Sequence, residues 1–105
     1  MFGTIASMRA KPGMEEQLLG ALEEWGRERG SRIAGPVRVY VARSENDPSL
    51  LLNIAMFDTR EHYEANALDP EQDRWYQRML AFCSEPPDWH DHTVLLAYEF
   101  TPPQA

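Results

Sequence analysis

The residues of this 105-residue chain that could carry metal, proton or ligand chemistry are few, and most fall in its second half. His90 and His92 stand two apart in strand-like sequence, so their side chains share a face while Asp91 turns to the other. An H-x-H pair supplies two metal ligands, with His62 or a carboxylate as a third, but the same spacing also describes a partly exposed strand edge. No complete metal signature accompanies the pair, and no metal is assigned. His92 lies deeper in the strand than His90 and is the better placed for proton transfer. Asn53 interrupts the apolar run Leu50–Phe57. If buried, its carboxamide needs partners, either a ligand in a pocket or a group across a subunit contact. Arg38 and Tyr40 share one face of another strand-like stretch. They could grip an anionic or phenolic group, or serve as an edge arginine beside an interface tyrosine.

Other chemistries have no counterpart in the chain. It contains no phosphate-cradling glycine loop, dinucleotide fingerprint, G-x-S-x-G elbow or C-x-x-C pair. Cys83 is alone, with nothing nearby in sequence to activate it. It reads as a small core or near-surface residue, and a single thiol points to a reducing, cytoplasmic setting. Seventeen acidic against ten basic side chains give a net charge of -7, which repels phosphate backbones and anionic membranes. The basic residues are scattered arginines plus Lys11, without a stripe, so neither nucleic acid nor membrane is an expected partner. The N-terminal residues run into strand-like sequence without a leader pattern, and no apolar stretch approaches the ~20 residues needed to span a bilayer.

The elements that must hold these residues follow from periodicity. Residues 2–10 form a first strand that ends at the turn Lys11-Pro12-Gly13. From Met14, the residues Leu18, Leu19, Leu22 and Trp25 recur at helical spacing, and Gly30 is the expected C-terminal cap. After Gly35-Pro36, residues 37–43 alternate as a second strand. A polar loop through Asp47-Pro48 then leads to a third strand, Leu50–Phe57. Asp58-Thr59-Arg60-Glu61 carries a capping signature, and Asp69-Pro70-Glu71-Gln72 repeats it, restarting the helix in a new direction. Residues 89–100 are expected as one long last strand, and residues 101–105 as a frayed tail. The order is β-α-β-β-α-β, an α+β ferredoxin-like domain spanning 1–105, with a four-stranded antiparallel sheet and its helices on one face.

A sheet with one wet face should alternate apolar and polar residues, and the third strand does not. Leu50, Leu52, Ile54 and Met56 point one way, with Leu51, Ala55 and Phe57 the other. Leaving half a dozen such side chains in water would forgo on the order of 10 kcal/mol, against ~5–15 kcal/mol for a whole domain. A homodimer packed through its sheet faces is the expected remedy. The alternative is a helix or tail wrapped over that face, but five tail residues are too few to cover a sheet.

This order, with Lys11-Pro12-Gly13 after the first strand, the Phe57-Asp58-Thr59-Arg60-Glu61 exit and the broken second helix, resembles the dimeric α/β-barrel superfamily. Within it the antibiotic biosynthesis monooxygenase-like proteins are the nearest likeness. The resemblance implies a homodimer with a small-molecule pocket in each subunit, between sheet and helices, and oxygenation of aromatic or polyketide-like compounds without a cofactor. The haem-degrading branch uses an Asn, a Trp and a His where this chain has Ala6, Asn66 and Trp75 or Tyr76, so the resemblance does not extend to haem cleavage. It places Asn66 at a pocket position, making Asn66 and His92 the catalytic candidates. Tyr63, Trp75, Tyr76 and Asn53 are the substrate-binding ones. Tyr63 and Trp75 read equally as core, and Asn66 as a helix end. A non-catalytic homodimeric binding module of the same fold is the alternative function.

Overall fold

The computed structural model of the chain describes residues 1–103; Gln104 and Ala105, the last of the expected frayed tail, lie outside the described residues. Strand β1 (Phe2–Arg9) turns through Lys11-Pro12-Gly13 into helix α1 (Glu15–Glu24), which buries Leu18, Ala21 and Leu22 along one stripe. The helix does not end at Gly30, as the glycine suggested. It continues as a π-helical turn (Trp25–Arg29) and a short 3-10 turn (Gly30–Arg32), and Gly30 keeps right-handed geometry at φ -57°. The Gly30 N–H reaches back to the Trp25 carbonyl, five residues away, and this wider turn buries Trp25 and Arg29 together. The left-handed glycine comes later, Gly35 at φ 85°, just ahead of the next strand.

Strands β2 (Val37–Arg43) and β3 (Leu50–Phe57) form a hairpin whose loop is organised by Asp47. Its carboxylate accepts from the Ser49 hydroxyl at 2.7 Å and from Arg9 on β1, and these bonds hold its pKa down at about 2. Helix α2 (Arg60–Ala67) starts where the Thr59 hydroxyl accepts from the His62 N–H at 3.1 Å. Helix α3 (Pro70–Leu80) starts where Asp69 accepts from the Glu71 N–H at 2.9 Å, with Pro70 at its first position. The second capping signature acts as its sequence indicates; in the first the cap is Thr59, one residue after the Asp58 that stands three before Glu61.

The last strand, β4, covers Asp88–Thr93 and stops well short of residue 100. Its neighbour is used up: Phe2 opposes Thr93, and the Val94 N–H bonded to the Met1 carbonyl at 2.9 Å is the final rung. Beyond it Leu95, Leu96, Tyr98 and Phe100 are 76 to 88% exposed. The sheet order is β2-β3-β1-β4, antiparallel throughout.

Along β3 burial alternates: Leu51, Asn53, Ala55 and Phe57 face the helices, while Leu50, Leu52, Ile54 and Met56 lie on the other, barer face. Phe57, Met8, Leu18 and Met79 are the largest fully buried side chains. Between them the sheet presents small residues, because Thr4 opposes Ala55 and Ala6 opposes Asn53.

Gly3 sits where a β-carbon would collide with the Ala55 backbone on β3, whereas one at Gly20 on α1 would meet nothing. Gly3→Ala is therefore expected to lower stability by roughly 1–3 kcal/mol, and Gly20→Ala to raise it by about 0.5–1 kcal/mol. Urea midpoints at unchanged slope are the measurement, and a neutral Gly3→Ala would refute the close approach.

Candidate functional site

The small residues of the inner sheet face and the aromatic residues of the helices border a half-open cavity of about 250 Å3. Thr4, Asn53, Ala55 and Phe57 form its floor. The roof hangs from two indoles that pack edge to face at 6.5 Å. Trp75 on α3 donates from Nε1 to the Ala21 carbonyl at 2.8 Å, and Trp25 donates from Nε1 to Gln72 Oε1 at 2.7 Å. Each indole N–H is thus satisfied within the protein, and the ring faces are left as apolar wall. Tyr76 and Trp89, rings 5.9 Å apart, complete the aromatic lining toward β4.

Three carboxamides line this space; Gln72 is engaged by Trp25, which leaves Asn53 and Asn66. Asn53 is 92% buried on the floor, being 8% exposed, and among the described residues its side chain has no hydrogen-bonding partner. A buried amide of that kind costs free energy until a ligand or water satisfies it. Asn66, on the last turn of α2, accepts at Oδ1 from Arg29 Nη2 at 2.8 Å. A guanidinium only donates, so the bond fixes which amide atom faces it and leaves Nδ2 as a free donor.

At the β4 side, Tyr63 donates from its hydroxyl to Asp91 Oδ1 at 2.6 Å. Burial, and then the neighbouring carboxylate, push its pKa up to about 12, so the phenol keeps its proton across ordinary pH. The Tyr63 ring is fixed edge-on between Phe2, at 5.1 Å, and Phe57, at 5.4 Å.

Of the residues singled out from sequence, Asn53, Tyr63, Asn66, Trp75 and Tyr76 all line this one cavity. His92 does not join them. It lies on the opposite face of the sheet, exposed, with Nδ1 2.8 Å from the His90 carbonyl oxygen. Strand alternation is the reason: Gly3 opposes His92 and Thr4 opposes Asp91, so it is Asp91 that turns inward. His90 pairs with Asp88 at 3.1 Å on the same outer face. His62 bonds Asp58 at 2.6 Å from α2, holding the Asp58 carboxyl below its usual range, so the three imidazoles are not brought together. Among the described residues no group of three or more His, Cys, Asp or Glu is arranged for a metal. Arg38 and Tyr40 are exposed outside the cavity, and Cys83 is buried, its thiol pKa pushed up by that burial. Sequence reasoning missed Asp91 and Arg29. Strict alternation along β4 would have found the first, whereas the second depends on a π-helical turn that carries no sequence signal.

No protein-family model matches the chain, and no curated protein matches it in sequence. Solved structures do match in fold. A candidate antibiotic biosynthesis monooxygenase from Nitrosomonas europaea superposes with a TM-score of 0.76 at 21% identity, covering 91% of this chain and 100% of that one. One from Deinococcus radiodurans gives a TM-score of 0.80 at 11% identity, covering 97% and 100%. SnoaB, a cofactor-independent oxygenase from Streptomyces nogalater solved with one asparagine replaced by alanine, gives 0.80 at 11% identity, covering 91% and 94%. At these identities the likeness establishes the fold, the antiparallel ferredoxin-like α+β architecture of those proteins.

Tyr63 is expected to stay protonated at about pH 11, between the free phenol value of ~10 and its own value of about 12. The raised pKa favours the neutral form, so the linked stability is full below pH ~10 and disappears as pH rises through about 12. Ring-labelled tyrosine NMR reads this directly. Asp91→Asn should lower the Tyr63 pKa, and an unmoved resonance would show that the carboxylate plays no part.

Proposed function

We propose that the chain is a cofactor-independent monooxygenase acting on an aromatic or polyketide-like phenol or enol, bound between sheet and helices. The observation that carries this reading is the Asn53 amide, without a hydrogen-bonding partner among the described residues, on the floor of a cavity with aromatic walls. About 250 Å3 is just under the ~300–1,000 Å3 of drug-sized sites, which suits a flat ligand of a few fused rings. The fold shared with a cofactor-independent oxygenase supports the same class.

In this reading the indoles and Tyr76 sandwich the substrate ring, and Asn53 and Asn66 Nδ2 donate to its oxygens. Ionisation of the substrate makes it electron-rich enough to reduce oxygen directly. The proton it loses passes to the Tyr63 hydroxyl oxygen while Tyr63 gives its own proton to Asp91, along the hydrogen bond already present. For a ring methylene the balance is CH2 plus O2 giving C=O plus water: one oxygen atom enters the ring carbon, and the other leaves with the two hydrogens. The amide donors act by holding the anion that must form before oxygen reacts. His92, on the far face, has no part in this scheme.

The same proposal includes a cytoplasmic homodimer. Ile5, Leu52, Ile54 and Met56 with Tyr40 form an apolar outer face, and the exposed segment beyond Thr93 adds Leu95, Leu96, Tyr98 and Phe100. A second copy laid face to face covers both. No helix among the described residues is long and apolar enough to cross a membrane.

Oxygen uptake with a simple anthrone or quinol is the direct test. Asn66→Ala is expected to lower the rate by roughly 10²–10³-fold, the usual loss for one anion-stabilising donor. Asn53→Ala should mainly raise KM. Saturable binding of such compounds without oxygen uptake would overturn catalysis in favour of a non-catalytic binding module. For assembly, Ile54→Asp is expected to convert a dimer to a monomer by light scattering, and a wild-type monomer would refute the sheet-face contact.

A further inference from the structure

Behind the candidate cavity lies an unusual charge. Arg29 is only 6% exposed in a chain whose net charge is -7, and it is held by the π-helical turn that follows α1. Its Nη2 donates to Asn66 Oδ1 at 2.8 Å and to Asp69 Oδ2 at 3.0 Å. Its Nε is buried without a partner. A guanidinium taken this far out of water is costly unless its charge is used, and one carboxylate, itself partly exposed, neutralises it incompletely. Asn66 stands between this cation and the ligand space. It lines the 250 Å3 cavity on one side and, with Arg29, a smaller one of about 210 Å3 on the other.

We propose that Arg29 is a positioning residue that turns Asn66 into a one-way donor and makes the cavity select its ligand as an anion, an ionised phenol or enol. This rests on the small-molecule reading of the same cavity. Two physical effects combine. The guanidinium claims Oδ1, so only the N–H2 end of Asn66 can face the ligand, and drawing electron density from that oxygen strengthens the N–H groups as donors. The positive charge behind the amide also lowers the energy of a negative ligand in a poorly solvated space.

Charges on the other elements also bear on this cavity. On α3, Asp73 reaches the cavity from an exposed position, and Glu71 is paired with Arg74. On β4, Asp91 is occupied by the Tyr63 hydroxyl. On α2, His62 is paired with Asp58, and Arg32, in the 3-10 turn beside Arg29, adds positive charge. Asp69 is therefore the carboxylate whose removal should most expose the Arg29 charge. It caps α3 through its other oxygen, a task asparagine also performs, so Asp69→Asn keeps the fold while removing the counter-charge.

The test uses the whole protein and a nitrophenol, whose absorbance distinguishes phenol from phenolate, with affinity measured on either side of the phenol's pKa. Wild type is expected to bind the phenolate roughly tenfold or more tighter than the phenol, as for an opposite charge close by. Arg29→Gln and Asn66→Ala should abolish the preference, and Arg29→Lys should retain part of it. Asp69→Asn should enlarge it, a change opposite in sign to that of Arg29→Gln, which a purely structural network would not produce. Should Arg29→Gln fail to fold, Asp69→Asn and Asn66→Ala still decide. Equal affinity for both forms in wild type, or a preference that shrinks in Asp69→Asn, overturns the inference. If oxygen uptake persists in that case, the monooxygenase reading survives without it, whereas failure to bind either form of the phenol removes both.

Discussion

The hydrogen bond from the Trp75 indole to the Ala21 carbonyl ties α3 to α1 across the top of the core, and the position of the cavity roof depends on it. An indole N–H buried without a partner would be expensive, so the ring cannot rotate down toward the sheet without losing that bond. Trp25 is constrained in the same way by Gln72, and the two rings brace each other edge to face. Beneath them the floor positions Thr4, Asn53 and Ala55 carry side chains too short to reach the roof. The cavity is thus a consequence of fixed large residues above and small ones below. Phe57, Met8, Leu18 and Met79 close the core around it.

Much of this architecture was legible because the physics is local. The caps at Thr59 and Asp69 depend on a side chain two or three residues from the N–H it accepts. The faces of β3 follow from a period of two, but that period left Asn53 open between a pocket and a subunit contact, and only the packing of the helices over its face decided for the cavity. The errors have longer-range causes. The last strand ends at Thr93 because β1 ends at Phe2, a fact about the partner and not about the apolar residues that continue past it. Gly30 looked like a helix stop, yet the chain widened into a π-helical turn that buries Arg29 together with Trp25. His92 and Asp91 exchanged importance because the sheet register, not the chemistry of imidazole, decided which of them faced the helices.

Charge in this protein is organised by depth. The surface is acidic, and many of its ion pairs, such as Arg60 with Glu64 or Arg27 with Glu23, are exposed and contribute little to stability. Arg29 is the deep exception. Its neighbours are a carboxylate and a carboxamide, so an ion pair with a buried guanidinium stands behind Asn66 while bulk solvent meets a negative surface. An acidic exterior and a buried ion pair are compatible because screening by water and salt is strong outside and weak within.

Strand β3 carries both halves of the molecule's design on successive residues. Leu52 and Ile54 belong to the apolar outer face, and Asn53 between them belongs to the cavity floor. A slip of one residue in its pairing with β1 would turn the amide outward and bury a leucine in its place, so register protects the ligand space as firmly as it protects the outer face. Covering the outer face with a second copy would then stiffen the strand from behind and hold Asn53 in place without touching the ligand. In this chain the alternation of faces follows from packing, while the inward polar residues Asn53, Asn66 and the Tyr63–Asp91 pair bring hydrogen-bonding groups to the cavity side of the sheet and helices.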